Sequence, residues 1–496
     1  MTPHFHTRLK VWTLFALLWL PLTLAAHVGS PNVIYEGLAG SYHVRVVVRP
    51  PVVVPGLAEI SVRVVNGDAT RVTVLPVRWD AGTKGAPPPD EAKPVRGDAR
   101  LFAAELWLMT SGAYSIFVNV EGAQGSGTTV VPINSVATTR LAMPRLFGGL
   151  LLALAAFLFV ALITIVGAAA RESVLQPGQE PDRRARRRAV IAMIMAILVL
   201  SLGLYGGRKW WNAVDADYRS NKIYRADSIS TSIRENGTQR VLHLEMAETR
   251  WGHRPLVTEH GKLMHLFLVR TNGMNGFAHL HPAPAGTNVF EAVLPSLPAG
   301  RYSVYADVTH ESGFTQTMTS EIDLAEKPAL DNSTSALDPD DGWFVSEVGG
   351  GLTNTFALAK GLTLVWERPD ALIENRETTL RFHVLDASHK PAPLEPYLGM
   401  QAHAVIRHQD GSVYTHLHPF GTISMAAQQL FVKRERAVAP NRKSLEVLCG
   451  LPPAEDFISF PYAFPRPGLY RIWVQVKSMG AIRTGCFDAD VRKSGG

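Results

Sequence analysis

Two long apolar segments separated by an arginine-rich stretch constrain this chain more than any other feature. Residues 146–170 are apolar throughout, and residues 189–205 form a shorter segment without a charged side chain. Because about 20 consecutive apolar residues cross a bilayer, both segments are predicted to be transmembrane helices. Residues 171–188 between them hold six arginines against three acidic residues, which predicts a cytoplasmic loop under the positive-inside rule.

The amino terminus has the layout of a secretory signal peptide, predicted over residues 1–26. An apolar core, residues 13–26, follows Arg8 and Lys10 and ends in small residues. After cleavage the chain would start outside, cross inward through the first helix and return through the second. We therefore expect a two-pass protein of a bacterial inner membrane, with both large parts periplasmic and the lipid bilayer as a partner.

The formal net charge of +6 does not predict a nucleic-acid surface, because residues 171–188 alone supply +3 of it. Membrane topology and contact with anionic lipid explain these arginines more simply. We therefore expect no nucleic-acid partner.

Both cysteines, Cys449 and Cys486, fall in the last part of the chain, which is predicted to lie in an oxidising compartment. A disulfide between them is the first expectation, and a thiolate copper ligand is the alternative. Neither cysteine begins a loop with His and Met following, so a blue-copper site is not expected.

Three stretches with a shared pattern predict three β-sandwich domains. Residues 111–122, 299–309 and 467–480 each place a Tyr after a Gly turn and continue with alternating apolar residues. Such alternation indicates half-buried antiparallel strands, and a Tyr at their start is typical of a sandwich corner. The predicted fold class is mainly β, with sandwiches over residues 27–141, 227–324 and 342–492, two transmembrane helices, and a linker over residues 325–341. Residues 79–98 and 433–455 are predicted to be exposed insertions.

The tetrapeptide His-Leu-His-Pro occurs twice, at residues 279–282 and 416–419. Each copy ends a matching segment, residues 264–282 and 400–419, which begins with a Met and contains an upstream His and a polar Gly turn. In an extended strand, residues i and i+2 project from one face, and a hairpin returns the upstream His beside them. The predicted metal ligands are His265, His279, His281 and, at the margin, Met264 in the first copy, and His403, His416, His418 and, at the margin, Met400 in the second.

Copper is the predicted metal of these ligands, because imidazole combined with a soft sulfur favours copper; zinc, which imidazole alone also suits, is the alternative. For any single one of these residues, filling a half-polar core is the more common role. Packing does not require two imidazoles around a Leu in both copies, however, so the recurrence favours metal binding. The other histidines are interpreted as structural or surface residues: His243, His253, His260, His310, His383, His389 and His408.

The sandwich domains, the signal peptide and the His and Met content resemble the CopC, YtkA and FixH groups of periplasmic copper-handling proteins. The full layout is similar to a bacterial membrane-protein family with a duplicated HLHP unit. The resemblance implies immunoglobulin-like or cupredoxin-like domains. In CopC-like proteins a terminal His chelates Cu(II), so cleavage after Ala26 would make His27 a ligand, with His43 as a companion. Cleavage before Ala26 would change that chelate.

The leading functional hypothesis is a membrane-anchored periplasmic protein that binds copper and stores it, senses it or delivers it to another periplasmic or membrane metalloprotein. The alternative is a non-metal interaction or assembly platform built from sandwiches. A copper-dependent oxidase is the third hypothesis, because three imidazoles with an open position also hold catalytic metals. The chain contains no GxSxG, HExxH, P-loop or dinucleotide-binding pattern, so no enzyme is expected.

Overall fold

The computed structural model describes residues 32–176, 178–236, 239–247, 255–326, 338–346, 352–438 and 456–495. Within these residues the chain is mainly β, as predicted, with sheets that pack as sandwiches and two long apolar helices. The predicted signal peptide, His27, Cys449 and most of the predicted linker lie outside the described residues.

Eight strands form the first sandwich: β1 (Val33–Ala39), β2 (Tyr42–Arg49), β3 (Gly56–Val64), β4 (Ala69–Arg78), β5 (Asp90–Val95), β6 (Asp98–Leu108), β7 (Gly112–Gly122) and β8 (Gly125–Ser135). They are hydrogen-bonded in the order β1-β2-β3-β6-β5-β4-β7-β8. Alternating residues such as Val44, Val46 and Ile60 fill the core. Strand β5 lies inside the predicted insertion of residues 79–98, so that segment is partly a member of the sheet.

Two helices follow the first sandwich, α1 (Arg145–Glu172) and α2 (Arg183–Asn221), and both are long and apolar enough to cross a membrane. The second helix extends beyond the predicted span of residues 189–205 at both ends. Its first turns contain the arginines of residues 183–188, and the Asp182 side chain caps it by accepting a hydrogen bond from the Ala185 N–H at 2.6 Å. The predicted cytoplasmic loop of residues 171–188 is therefore a connection of residues 173–182 only.

The two helices pack as an antiparallel hairpin. Gly167 of α1 lies so close to Met193 of α2 that an added Cβ would come within 2.7 Å of the Met sulfur. At the other end, Arg140 before α1 forms an ion pair of 2.9 Å with Asp215 near the end of α2. The chain therefore enters and leaves the hairpin at one end, where the sandwiches are attached.

Ten strands form the second sandwich: β9 (Ile229–Asn236), β10 (Gln239–Met246), β11 (Leu256–Val257), β12 (His265–Arg270), β13 (Gly276–Leu280), β14 (Ala283–Pro284), β15 (Val289–Val293), β16 (Gly300–His310), β17 (Thr315–Leu324) and β18 (Gly342–Val345). One sheet has the order β14-β15-β10-β9, and the other has the order β11-β16-β12-β13-β18 with β17 on β16. The predicted start of the third domain at Gly342 is wrong, because β18 pairs with β13 and covers its edge.

The third sandwich contains β19 (Thr355–Ala357), β20 (Thr363–Glu367), β21 (Leu372–Ile373), β22 (Glu377–Leu385), β23 (Ala402–His408), β24 (Tyr414–Leu417), β25 (Ile458–Ala463), β26 (Gly468–Ser478) and β27 (Ala481–Arg492). Its sheets have the orders β19-β20-β22-β25 and β21-β27-β26-β23-β24. Helix α3 (Met425–Val438) follows β24 and includes residues 433–438 of the predicted exposed insertion 433–455. These residues are helical and not a loop, although Lys433 and residues 436–438 are exposed as predicted. Residues 439–455 lie outside the described chain.

The tyrosines that begin β16 and β26 form the predicted sandwich corners. The Tyr302 hydroxyl donates a hydrogen bond of 2.8 Å to the Pro298 carbonyl, and the Tyr470 hydroxyl donates one of 2.8 Å to the Arg466 carbonyl. Both rings are fully buried. Each bond spans four residues, which fixes the chain at the turn before the strand.

The second and third sandwiches pack face to face through the sheets that carry the HLHP segments. The rings of Tyr305 and Tyr414 stack with centroids 3.9 Å apart, and those of Phe277 and Trp473 stack with centroids 4.9 Å apart. Each of these sheets therefore buries one face in its own sandwich and the other against the neighbouring sandwich. The six histidines predicted as ligands in the HLHP segments lie in this interface.

Candidate metal centre

Strand alternation directs the histidines toward the interface between the two sandwiches. In β12, Leu266 lies in the core of the second sandwich, whereas the adjacent His265 contacts the third sandwich. In β23, Ala404 lies in the core of the third sandwich, whereas His403 contacts the second. Successive strand residues point to opposite faces, so one apolar and one polar face arise from the same alternation.

The β12–β13 hairpin assembles the first trio, which is His265, His279 and His281. Leu266 pairs with Leu280 in this hairpin, and this register places His265 beside His281. One ligand atom from each histidine lies within 4.8 Å of the others, and His265 Nδ1 is 3.1 Å from His279 Nε2. All three side chains are buried. The first predicted set of imidazoles is thus brought together.

The β23–β24 hairpin assembles the second trio, which is His403, His416 and His418, in the same way. Ala404 pairs with Leu417, which places His403 beside His418. One ligand atom from each histidine again lies within 4.8 Å of the others, and His403 Nδ1 is 3.2 Å from His416 Nε2. The same pair of ring atoms therefore approaches in both trios, as expected of a duplicated unit.

In each ring of the first trio, one of the two nitrogens faces an oxygen that accepts a hydrogen bond. These contacts join His265 Nε2 to the Glu259 carbonyl (3.3 Å), His279 Nδ1 to Gln475 Oε1 (2.8 Å), and His281 Nδ1 to Asp341 Oδ1 (3.0 Å). A neutral imidazole carries one N–H and one bare lone pair, so the N–H is committed to the oxygen and the other nitrogen is bare. Histidines that bind metals show this arrangement, in which an outer oxygen fixes the tautomer.

The second trio has equivalent oxygen partners. They join His403 Nε2 to the Tyr397 carbonyl (3.2 Å), His418 Nδ1 to the Ile423 carbonyl (3.3 Å), and His416 Nδ1 to Asp307 Oδ2 (3.5 Å). Burial raises the pKa of Asp307 to about 7, so this carboxyl group titrates near neutral pH. When Asp307 is ionised, the bare nitrogens of the second trio are the same ring atoms as those of the first.

The fixed tautomers leave bare nitrogens facing one another without a proton between them. His265 Nδ1 and His279 Nε2 approach to 3.1 Å, although neither has an N–H to offer the other. The buried Nε2 atoms of His281 and His418 have no hydrogen-bond partner among the described residues. A buried polar atom without a partner costs about 1–3 kcal/mol, and a cation bound among these nitrogens would remove that cost.

Burial keeps five of the six trio histidines uncharged. Loss of hydration lowers the pKa of His265, His279, His403 and His416 well below the usual value, and lowers that of His418 to about 4. Neighbouring histidines lower these values further. These five rings are therefore neutral at pH 7, which is the protonation state that a metal ligand requires.

A seventh histidine, His260, lies beside both trios, although its sequence position suggested only a structural or surface role. Its ring centroid is 6.3 Å from that of His265, 5.8 Å from that of His403 and 5.6 Å from that of His418. Its Nε2 is buried and has no hydrogen-bond partner in the described part of the chain. His260 has a φ of 55° in a tight turn ahead of β12, outside the HLHP spacing.

Acidic residues that the sequence reasoning missed surround the trios. Glu259 accepts hydrogen bonds from the Met425 N–H (2.7 Å) and the Ser424 hydroxyl (2.9 Å), which ties the His260 turn to the start of α3. Asp338 and Asp341 form a further group of ligand atoms with His281. No spacing in the sequence links these acids to the HLHP segments.

The two predicted sulfur ligands are not brought to the trios. Met264 packs in the core of the second sandwich, and Met400 packs with Ile423 and Met425 against the core of the first. The reason for Met264 is its position next to His265, because adjacent strand residues face opposite sides. The prediction that thioethers lie at the margin of the site is therefore wrong.

The remaining predicted ligands contribute nothing to the trios in the described chain. His43 lies on β2 of the first sandwich, with its Nε2 3.5 Å from Glu36. Cys486 is buried in the apolar part of the interface, and no group of metal-ligand atoms among the described residues includes it. His27 and Cys449 lie outside the described residues, so the terminal chelate and the disulfide stay predictions.

Residues 357–493 match a family described as a domain of unknown function (DUF8832). No curated protein matches the chain. Solved structures with some likeness include a tetra-tandem repeat in the extending region of a large adhesion protein (8% identity, covering 88% of this chain and 71% of that one, TM-score 0.15). Another is dimeric latent PorU from Porphyromonas gingivalis, with 8% identity, coverage of 94% of this chain and 34% of that one, and a TM-score of 0.15. A third is an ICAM-5 D1-D4 ectodomain fragment, with 8% identity, coverage of 89% of this chain and 74% of that one, and a TM-score of 0.14. At these TM-scores none of them carries an argument about function.

Proposed function

We propose that this chain is a membrane-anchored metal-binding protein whose two trios bind copper. The observation that carries the proposal is the approach of bare imidazole nitrogens, 3.1 Å apart in the first trio and 3.2 Å apart in the second. Two nitrogens that bind one tetrahedral ion at about 2 Å lie about 3.3 Å apart. Both pairs therefore have the spacing of metal ligands without rearrangement.

The donor set supports copper, with zinc as the alternative. Imidazole nitrogens suit copper, zinc, iron and nickel, and among the divalent ions Cu(II) binds such sites most tightly. The argument from thioether ligands no longer contributes, because Met264 and Met400 pack in apolar cores. Copper is thus proposed on the basis of nitrogen donors alone.

The helical hairpin supports a bacterial inner-membrane location with the sandwiches on the periplasmic side. Apolar side chains along both helices are exposed, among them Leu152, Phe157 and Leu202, which a bilayer would cover. The sandwiches are attached at one end of the hairpin, and the connection of residues 173–182 lies at the other, between Arg171 of α1 and the five arginines of residues 183–188 in α2. The positive-inside rule assigns that connection to the cytoplasm.

Burial of the trios supports storage, sensing or controlled delivery of copper. Both trios lie between packed sandwiches, so release of an ion requires the sandwiches to separate or the turn that carries His260 to move. A receiving partner would be another periplasmic or membrane metalloprotein. A deeply held ion is suited to retention and to release on contact with that partner.

The test is metal retention by the full-length protein purified in detergent. After loading with Cu(II) and removal of unbound metal, we expect two equivalents per chain in the wild type and one in the His279→Ala, His281→Ala double variant. The matched control is His408→Ala, which removes a buried histidine hydrogen-bonded to Asp410 outside the trios and should retain two equivalents. A wild-type protein that retains neither copper nor zinc would overturn the proposal and favour an interaction platform.

A further inference from the structure

The two trios lie almost as close to each other as the most widely spaced rings within each trio do. Ring centroids within a trio are 5.4 Å apart for His265 and His279, and 5.4 Å apart for His403 and His416. Between trios, the His416 centroid lies 5.5 Å from that of His265 and 5.6 Å from that of His279. The six imidazoles therefore form one continuous cluster, although they come from two sandwiches.

Each trio is also oriented by residues of the other sandwich. His279 of the second sandwich donates to Gln475 of the third at 2.8 Å, and His416 of the third faces Asp307 of the second at 3.5 Å. This exchange of partners is reciprocal. Neither trio would have its observed ring orientations in an isolated sandwich.

Tyr397 connects the two trios directly. Its carbonyl accepts from His403 Nε2 of the second trio at 3.2 Å, and its hydroxyl accepts from His279 Nδ1 of the first at 3.2 Å. The hydroxyl in turn donates to the Asp340 carbonyl at 3.0 Å. One buried residue, through its backbone carbonyl and its side-chain hydroxyl, thus fixes a tautomer in each trio.

The unpartnered Nε2 of His260 adds an independent observation. This ring contacts His265 of one trio and His418 of the other, and its buried Nε2 has no hydrogen-bond partner among the described residues. Three buried Nε2 atoms without partners, those of His260, His281 and His418, therefore belong to one cluster. Such a concentration is unusual, because buried polar atoms are normally satisfied.

We infer that the two trios form a single two-ion centre, in which the ions are close enough to interact magnetically and His260 lies over both. This inference rests on the proposed function, since it requires that each trio binds copper. Ions placed about 2 Å from the bare nitrogens of adjacent rings lie on the order of 5 Å apart. Two Cu(II) ions at such a separation couple strongly, whereas ions in independent sites do not.

The test is electron paramagnetic resonance of the full-length protein in detergent, loaded with one and then two equivalents of Cu(II). At two equivalents we expect a half-field transition, and either strong broadening of the main signal or a spin count clearly below two. The His416→Ala, His418→Ala variant, loaded with one equivalent, should give one isolated Cu(II) signal that accounts for one full spin. His408→Ala, whose histidine lies outside the cluster, should behave like the wild type.

Two unperturbed Cu(II) spins in the wild type, with no half-field transition, would overturn the inference and leave copper binding intact. Retention of only one ion per wild-type chain would also overturn it. Absence of bound copper would instead overturn the proposed function. If the double variant does not fold, the comparison of one and two equivalents in the wild type still decides, because coupling must grow as the second ion binds.

Discussion

His279 on β13 and Gln475 on β26 form a buried hydrogen bond of 2.8 Å across the sandwich interface, although 196 positions separate them in the chain. This bond, which is shorter than the 3.2 Å contact of the same N–H to the Tyr397 hydroxyl, commits the His279 N–H and leaves its Nε2 bare toward the first trio. Gln475→Ala should therefore weaken copper binding about 10–100-fold, which is the usual effect of losing an outer partner of a metal-binding histidine. Competition with a chelator of known affinity measures this change.

Gln475→Glu is the matched control for this prediction, because it retains a side-chain oxygen that accepts from His279 Nδ1. It should bind copper much more tightly than Gln475→Ala does. Equal affinity of both variants and the wild type would show that the orientation of His279 does not depend on this bond.

Acid should destabilise the metal-free protein between about pH 6.5 and pH 4. Burial lowers the pKa of His260 and of five trio histidines, with that of His418 at about 4, so the unfolded chain binds more protons than the folded chain below pH 6.5. Stability is therefore fully present above pH 6.5 and is lost as the pH falls. The raised pKa of Asp307, about 7, has the opposite effect on stability, but it concerns one group against six histidines.

The measurement is the thermal midpoint of chelator-treated protein across this pH range. The copper-loaded protein should be more stable at pH 7, and its advantage should shrink on acidification because protons compete for the same nitrogens. A midpoint that stays constant from pH 7 to pH 4.5 would contradict the neutral, buried state of these histidines.

Tyr302 should be required for the stability of the second sandwich. Its ring is fully buried and its hydroxyl donates to the Pro298 carbonyl at 2.8 Å. Tyr302→Ala should lower the free energy of unfolding by about 3–5 kcal/mol, as expected for loss of a buried aromatic ring. Tyr302→Phe removes only the hydrogen bond and should cost about 0.5–1.5 kcal/mol. Denaturant unfolding measures both losses. An equal loss of unfolding free energy in the two variants would contradict this role of the ring.

Reporter fusions test the membrane topology. A reporter fused after Gly496 should be active in the periplasm, and one inserted in the connection of residues 173–182 should be active in the cytoplasm. The physical reason is the arginine bias at the helix ends beside that connection, at Arg171 and within residues 183–188, and the two apolar helices that they flank. A cytoplasmic carboxyl terminus would mean that α2 does not cross the membrane.

The assembly of each trio was predictable because it depends on local rules. Alternation puts His279 and His281 on one face, and the short hairpin returns His265 to them. The tyrosine corners at Tyr302 and Tyr470 follow from similarly local patterns. Contacts between residues of one hairpin can therefore be inferred from the sequence.

The union of the trios was not predictable, because it depends on packing between sandwiches. Phe277 and Trp473 stack across the interface although they belong to different domains, and no periodicity links them. The approach of His260 depends on a turn held by Glu259 to α3. The prediction of a sulfur ligand failed at Met264 because it rested on the recurrence of a Met at the start of both segments. The side of the strand to which Met264 points, opposite that of His265, was not taken into account.

X-ray absorption at the copper edge of the loaded full-length protein tests most directly whether the trios bind the metal. The spectrum should show about three imidazole nitrogens per copper at about 2 Å, with no sulfur in the first coordination shell. The His279→Ala, His281→Ala variant should keep this signature with half the copper. A sulfur contribution near 2.3 Å, or a first shell without imidazole scattering, would contradict the assignment of the six histidines as ligands.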